Sequence, residues 1–289
     1  MSTTLPVLSP GEAALYGAMY RCESCSHFTD PDGVFPFASR DSPEGQTVAV
    51  SHFGNIRTAL LWLLLTNPRG TDRSNSNVGL SVRDFALNRD GIPPSDIPKI
   101  FQHFSDYDFD ISSADFWQPW KALLDDINIG DKNLRFDSGG ICGVDLIKCP
   151  TKGGWMGYVM KKVNNEGKKV WENCHCSTKR NGHFFLRQQI QLHEPRIVIR
   201  PGTAFNGKGN IPTCLGTKIG PIPRKLNTLI AGTDNYVKEV RCLSSARRLR
   251  IELRGAKDVK EVSQDARRSA ECRSTIQQII DTWLALTEL

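Results

Sequence analysis

Three short apolar runs, each breaking off into polar or Gly/Pro residues, constrain the fold of this chain more than any other feature. They are LLLTNPRGT (63–71), GVDLIKCP (143–150) and EPRIVIRPGTA (194–204). A fourth string, RCLSSARRL (241–249), repeats the pattern of strand then polar turn ahead of a basic segment. Short continuous apolar runs bounded by turn residues are what strands buried on both faces look like. A sheet whose strands end at one edge gathers the polar residues that follow them into a single crevice.

The rest of the chain fits around those strands. Ala59–Leu65 reads as a strand stopped by Thr66, Asn67 and Pro68, and Ile141–Ile147 reads as a second. A helix over Phe184–His193 ends at Glu194-Pro195, Arg196–Ile199 supplies a third strand, and Tyr236–Leu243 a fourth. Ala114–Asp126 carries Phe116, Trp117, Trp120, Leu123 and Leu124 at helical spacing, and Ile276, Ile279, Ile280, Trp283 and Leu284 stripe a final helix. Residues 1–45 read as a loop-rich lead-in that contributes little core, residues 70–113 as a polar excursion bordering a site, and 151–182 as an insertion. The expected fold is α/β: a single domain over 46–289, with a central, mostly parallel four-stranded sheet flanked by helices.

A chain of 289 residues that is 39% hydrophobic can bury a sizeable core. The net charge of +6 is unevenly spread, because Lys238–Arg273 holds eleven lysines and arginines against six acids, beside the fourth string. That excess is compatible with a polyanionic partner. Met1–Tyr20 lacks a basic stretch followed by a long apolar one, and Ala59–Leu65 is too short to cross a bilayer, so an intracellular location, cytoplasm or nucleus, is expected over secretion or a membrane. Nine cysteines, an odd number, favour reduced thiols or metal ligands over a disulfide framework.

The polar residues past the strands suggest a chemistry. An amide such as Asn67 at the mouth of a sheet can hold and aim a water in a hydrolysis whose leaving group needs no strong base. Asp145 sits in an apolar strand, where a carboxylate must find donors or shift its pKa; it is either a core acceptor or a reader of a ligand's polar edge. The turn Ser244-Ser245-Ala246-Arg247-Arg248 offers hydroxyls and guanidiniums, the donor set that grips phosphate oxygens.

In order and spacing these strings resemble the uracil-DNA glycosylase superfamily over roughly residues 60–250. LLLTNPRG is similar to the family's first motif, Gly-x-Asn-Pro-Gly, with Asn67 on the residue that positions water in the mismatch-specific thymine/uracil branch. SVRDF (81–85) and ADFWQPW (114–120) look like stretches following that motif in the single-strand-selective branch. GVDLIKCP is similar to the strand that contacts the flipped base, LRQQIQLHEPRIVI (186–199) to the helix–strand unit before the second motif, and CLSSARR (242–248) to the second-motif loop of the mismatch-specific branch. Leu65 and Arg69 stand where the first motif has glycines, with Gly70 next in line, Asp145 where asparagine is usual, and Leu243 where most branches have histidine.

The resemblance implies a monofunctional DNA glycosylase of base-excision repair. Such an enzyme turns a deaminated or mismatched base out of the DNA and hydrolyses its N-glycosidic bond. It places Asn67 and Asp145 in the catalytic roles, and Thr66, Pro68, Gly70, Phe85, Ser244, Ser245, Arg247 and Arg248 around DNA and base. It also implies DNA as partner and a monomer. The alternative is a catalytically weak or inactive DNA-binding module of the same fold; a metal-sensing or nucleotide-processing α/β protein is a third reading. Cys22, Cys25, Cys149 and Cys176, with Cys174 as alternative, resemble the ligand order of the iron–sulfur branch, which implies a four-iron (4Fe–4S) cluster, with zinc or no metal as alternatives. His175, His183 and His193 read as surface or helix residues.

Overall fold

The computed structural model describes residues 5–22, 49–65, 69–70, 92–107, 109, 114–145, 148, 151–152, 185–201, 237–243, 248–253 and 256–287. In chain order the elements are α1 (Pro10–Tyr20), β1 (Leu61–Leu65), β2 (Arg69–Gly70), a 3-10 turn (Pro94–Asp96), α2 (Ile97–Ser105), α3 (Ala114–Leu124), β3 (Ile127–Ile129) and β4 (Lys132–Leu134). They continue with β5 (Ile141–Asp145), β6 (Thr151–Lys152), α4 (Phe185–His193), β7 (Ile197–Pro201), β8 (Val237–Leu243), β9 (Arg248–Leu253), α5 (Ala256–Ser263) and α6 (Ala266–Thr287). The chain divides into two compact units. One comprises Met1–Phe53, Leu65–Tyr107 and Val144–His193; the other comprises Gly54–Leu64, Asp108–Gly143 and Glu194–Leu289.

The main sheet has the order β5-β1-β7-β9-β8. Among the described residues it has five strands where four were expected, and the additional one is β9. The expected α/β class and mostly parallel sheet are present: β1 pairs with β7 and β7 with β9 in parallel, while β8 runs antiparallel along β9 at the edge. All five residues of β1 are buried, as its unbroken apolar sequence requires of an interior strand. β9 escapes the sequence reading because Arg248, Arg250 and Glu252 alternate with Leu249, Ile251 and Leu253. That pattern signals a half-exposed strand, yet all six residues are buried.

Within the second unit, α6 buries Cys272, Ile276, Ile279, Ile280 and Trp283, a stripe at helical spacing. It is fastened by polar clamps: Ser269 Oγ and Arg273 donate to the Ala122 carbonyl at the end of α3, and Gln277 exchanges hydrogen bonds with the backbone of Asn128 in β3. Phe109, Trp117 and Phe136 form an aromatic cluster with ring centroids 4.9–5.7 Å apart. Gly54 closes over it with φ +83°, and a Cβ there would lie 3.0 Å from the Phe109 ring. Phe116 does not join its neighbours in the core and is exposed.

The first unit corrects two expectations. The lead-in is not poor in core: α1 buries Leu15, Tyr16, Met19 and Tyr20. Its start is a capping box, in which the Glu12 amide donates to Ser9 Oγ (3.3 Å) and the Ser9 amide to Glu12 Oε2 (2.8 Å), with Pro10 in the first helical position. The region read as a polar excursion holds α2, whose Ile97, Ile100, Phe101 and Phe104 are buried. Helix α4 ends where the sequence expects it, with Glu194 at φ +46° just past His193.

Candidate functional site

The described residues of greatest chemical interest lie in the interior of the first unit, around the end of β5 and Ser51. Strand β5 places Asp145 as its last residue, and the carboxylate is 1% exposed. Neither of its oxygens accepts a hydrogen bond among the described residues. Three positions on, Lys148 is fully buried. Burial pushes the Asp145 carboxyl up to about 7, and the Lys148 ammonium pulls in the opposite direction. A carboxyl so placed is poised between acceptor-only carboxylate and a protonated form that both donates and accepts.

Lys148 is anchored from the other side. Its Nζ donates to the Ser51 carbonyl (3.1 Å), which also receives Gln189 Nε2 from α4 (2.9 Å). The Lys148 carbonyl in turn accepts from the Val50 amide at 2.7 Å. Gln189 Oε1 accepts nothing among the described residues. Two buried side chains in this one unit, Asp145 and Gln189, therefore carry acceptor oxygens to which the described residues offer no donor.

From Ser51 a second chain of hydrogen bonds leads away from the lysine, and its direction follows from counting protons. Ser105 Oγ donates to the Phe101 carbonyl (3.0 Å), so at 3.1 Å it accepts from His52 Nε2. With a neutral imidazole, His52 is then the Nε2–H tautomer, its Nδ1 accepts the Ser51 hydroxyl proton (2.8 Å), and Ser51 Oγ accepts from the Tyr20 hydroxyl (2.9 Å). Burial drives the Tyr20 phenol pKa far upward, the hydrogen bond to Ser51 only partly opposing it, so the donor end stays protonated. The chain holds the backbone on which Lys148 is moored. Nearby, the Tyr16 hydroxyl and His193 Nε2 are 2.7 Å apart, so His193 is a packed, hydrogen-bonded residue of α4.

Of the residues singled out in the sequence, Asp145, Gly70, Arg248 and Cys22 are described. Gly70 pairs with Lys152 in the short parallel β2–β6 ladder. Arg248 is not in a turn, as expected, but is the first residue of β9; it is buried and its Nε donates to the Pro195 carbonyl at 2.7 Å. Burial pushes its pKa down, with Glu194 opposing. Cys22 is buried, just past α1. Thr66, Asn67, Pro68, Phe85, Ser244, Ser245, Arg247, Cys25, Cys149, Cys174 and Cys176 lie outside the described residues. Among the described residues no group of three His, Cys, Asp or Glu is arranged to hold a metal ion, and no helix is long and apolar enough to cross a membrane.

Sequence reasoning missed Lys148, Ser51, His52, Gln189 and Tyr20. Two signals were present: Lys148 interrupts an apolar string three residues after an equally misplaced aspartate, and Ser51-His52 stands between the apolar runs of residues 48–50 and Phe53. No family model matches this chain, and neither a curated protein nor a solved structure does.

Proposed function

We propose that this chain is a monofunctional DNA glycosylase-like protein, which hydrolyses the N-glycosidic bond of a flipped, deaminated or mismatched base of the uracil type. The single observation that carries the reading is the state of Asp145. A permanently ionised carboxylate offers two acceptors and cannot pair with a base edge that presents both a carbonyl and an N–H. A carboxyl whose pKa is pushed up to about 7 is half protonated near neutrality. Its protonated form presents one O–H donor and one carbonyl acceptor, the pattern of the amide that stands at this position in the family the sequence resembles. Its place at the end of a strand of a mostly parallel sheet, with both oxygens unengaged by the described residues, supports the same role.

In this reading Asn67 orients the attacking water, Thr66, Pro68, Gly70 and Phe85 surround the base, and Ser244, Ser245 and Arg247 hold DNA phosphates. Arg248, at the start of β9, is proposed beside them, its Nε donating to the Pro195 carbonyl. Cys22, Cys25, Cys149 and Cys176 or Cys174 are proposed as thiolate ligands of a four-iron cluster, with zinc as the alternative. An ultraviolet–visible spectrum of anaerobically purified protein tests this: a brown protein absorbing near about 400 nm supports the cluster, and a colourless protein free of iron and zinc ends it.

The Asn67→Ala variant tests the catalytic assignment against a DNA-binding module of the same fold. Loss of base excision with DNA affinity retained supports the glycosylase. Binding without product in both the parent and the variant favours the module, whose affinity would fall with salt according to its number of phosphate contacts.

A further inference from the structure

A base-reading role for Asp145 does not account for Lys148. A fully buried lysine gives up the hydration of its ammonium, and such burial is costly unless hydrogen bonds and an opposing charge offset it. The fold fixes this residue at both ends. Its carbonyl accepts from the Val50 amide at 2.7 Å, and its Nζ donates to the carbonyl of the next residue, Ser51, at 3.1 Å. Gln189 Nε2 of α4 meets the same carbonyl at 2.9 Å. Hydrogen bonds from Tyr20, at the end of α1, and through His52 to Ser105, at the end of α2, hold Ser51 in turn.

The charge so placed acts on Asp145. Burial disfavours the ionised carboxylate, and the Lys148 ammonium favours it. A field that favours negative charge on the Asp145 oxygens acts in the same sense on a group those oxygens hold, and buried surroundings screen it little.

Hydrolysis of an N-glycosidic bond creates such a group. The bond between the anomeric carbon and the base nitrogen breaks with its electron pair going to the base, the water oxygen bonds to the carbon, and a proton of the water ends on the base. Until that proton arrives, the departing base is an anion spread over its ring nitrogens and carbonyl oxygens. Fixed positive charge beside a developing anion lowers the barrier without any reorganisation at the moment of reaction.

We propose that Lys148 is the electrostatic stabiliser of the departing base anion, acting by its field at the edge of the base that Asp145 holds. This role rests on the glycosylase reading and divides the work of the site: Asp145 selects the base, and Lys148 eases its release.

Leaving-group acidity provides the test. Single-turnover excision of uracil and of fluorouracil, whose anion is intrinsically the more stable, is followed below the Asp145 midpoint of about 7, where parent and variant both hold the carboxyl protonated. Lys148→Met should slow uracil release by about 10²–10³-fold and fluorouracil release by roughly tenfold less, because the better leaving group needs less help. Lys148→Arg should recover part of the uracil rate, since the charge returns. The same loss should appear when Lys148→Met is combined with Asp145→Asn, which separates the field of the lysine from titration of the carboxyl. Equal slowing of the two bases, or an unchanged rate in folded Lys148→Met, overturns the proposal and leaves the glycosylase reading standing. Should the variant fail to fold, the parent decides: similar rates for the two bases support the role, and a preference for fluorouracil as large as in uncatalysed hydrolysis overturns it. No excision of either base by the parent withdraws the glycosylase reading itself, and this role with it.

Discussion

Lys148 and Asp145, three residues apart and both buried, oppose one another's surroundings: the ammonium, moored on the Ser51 carbonyl, pulls down a carboxyl that burial has pushed up to about 7. The sign of the resulting pH dependence is fixed. The folded protein holds a proton on Asp145 that the unfolded chain releases near its ordinary pKa of 3.8. This group's stabilising contribution is therefore complete at low pH, declines as pH rises from about 4 to about 7, and is gone above that. Urea unfolding across this range should show the decline in the parent and not in Asp145→Asn. The variant is expected to be the more stable of the two at about pH 8, by on the order of 1–3 kcal/mol. Lys148→Met should extend the decline to higher pH, since the opposing charge is gone and the folded-state pKa rises further. A parent whose stability is flat over this interval would contradict the assignment.

Ser51 is where the Lys148 anchor and the Tyr20–His52–Ser105 chain meet. Ser51→Ala keeps the carbonyl that Lys148 and Gln189 use, but leaves the Tyr20 hydroxyl without its acceptor and His52 Nδ1 without its donor. Two buried groups losing partners should cost about 2–4 kcal/mol, read as a lower urea midpoint with an unchanged slope. A loss below about 0.5 kcal/mol would mean that the chain does not hold this backbone in place.

The capping box of α1 gives a local test of the lead-in. Ser9→Ala removes the oxygen that receives the Glu12 amide and should destabilise the protein by about 1 kcal/mol, whereas Ser9→Asp, another good cap, should be close to neutral. If Ser9→Ala is silent in thermal unfolding, α1 is not part of the cooperative fold.

Much of the sheet was legible because hydrophobicity alone decides it. The runs at β1, β5 and β7 are apolar and short, and α3, α4 and α6 carry clear 3.6-residue stripes. What escaped did so for identifiable reasons. β9 mimics a half-exposed strand because its charges are buried, and the sequence does not reveal that its Arg/Glu face is covered. Helix α1 is announced by Ser9-Pro10 and Glu12, but the glycines and prolines around it give the segment the composition of a loop. Helix α2 is short and follows a proline-rich stretch, although Ile97, Ile100, Phe101 and Phe104 form a clean apolar face. At the site, Asp145 stood out as a charge in an apolar strand, whereas Lys148, Gln189 and Ser51 are brought to one place only by tertiary packing.

The most direct test of the central claim is base excision by the full chain on labelled oligonucleotides carrying uracil, hypoxanthine, xanthine or a G·T mismatch, followed across pH. The expected result is an alkali-labile site in at least one substrate, at a rate that falls as pH rises through about 7 and loses that dependence in Asp145→Asn. No alkali-labile product from any of the four at any pH, with a control glycosylase active on the same oligonucleotides, would contradict it.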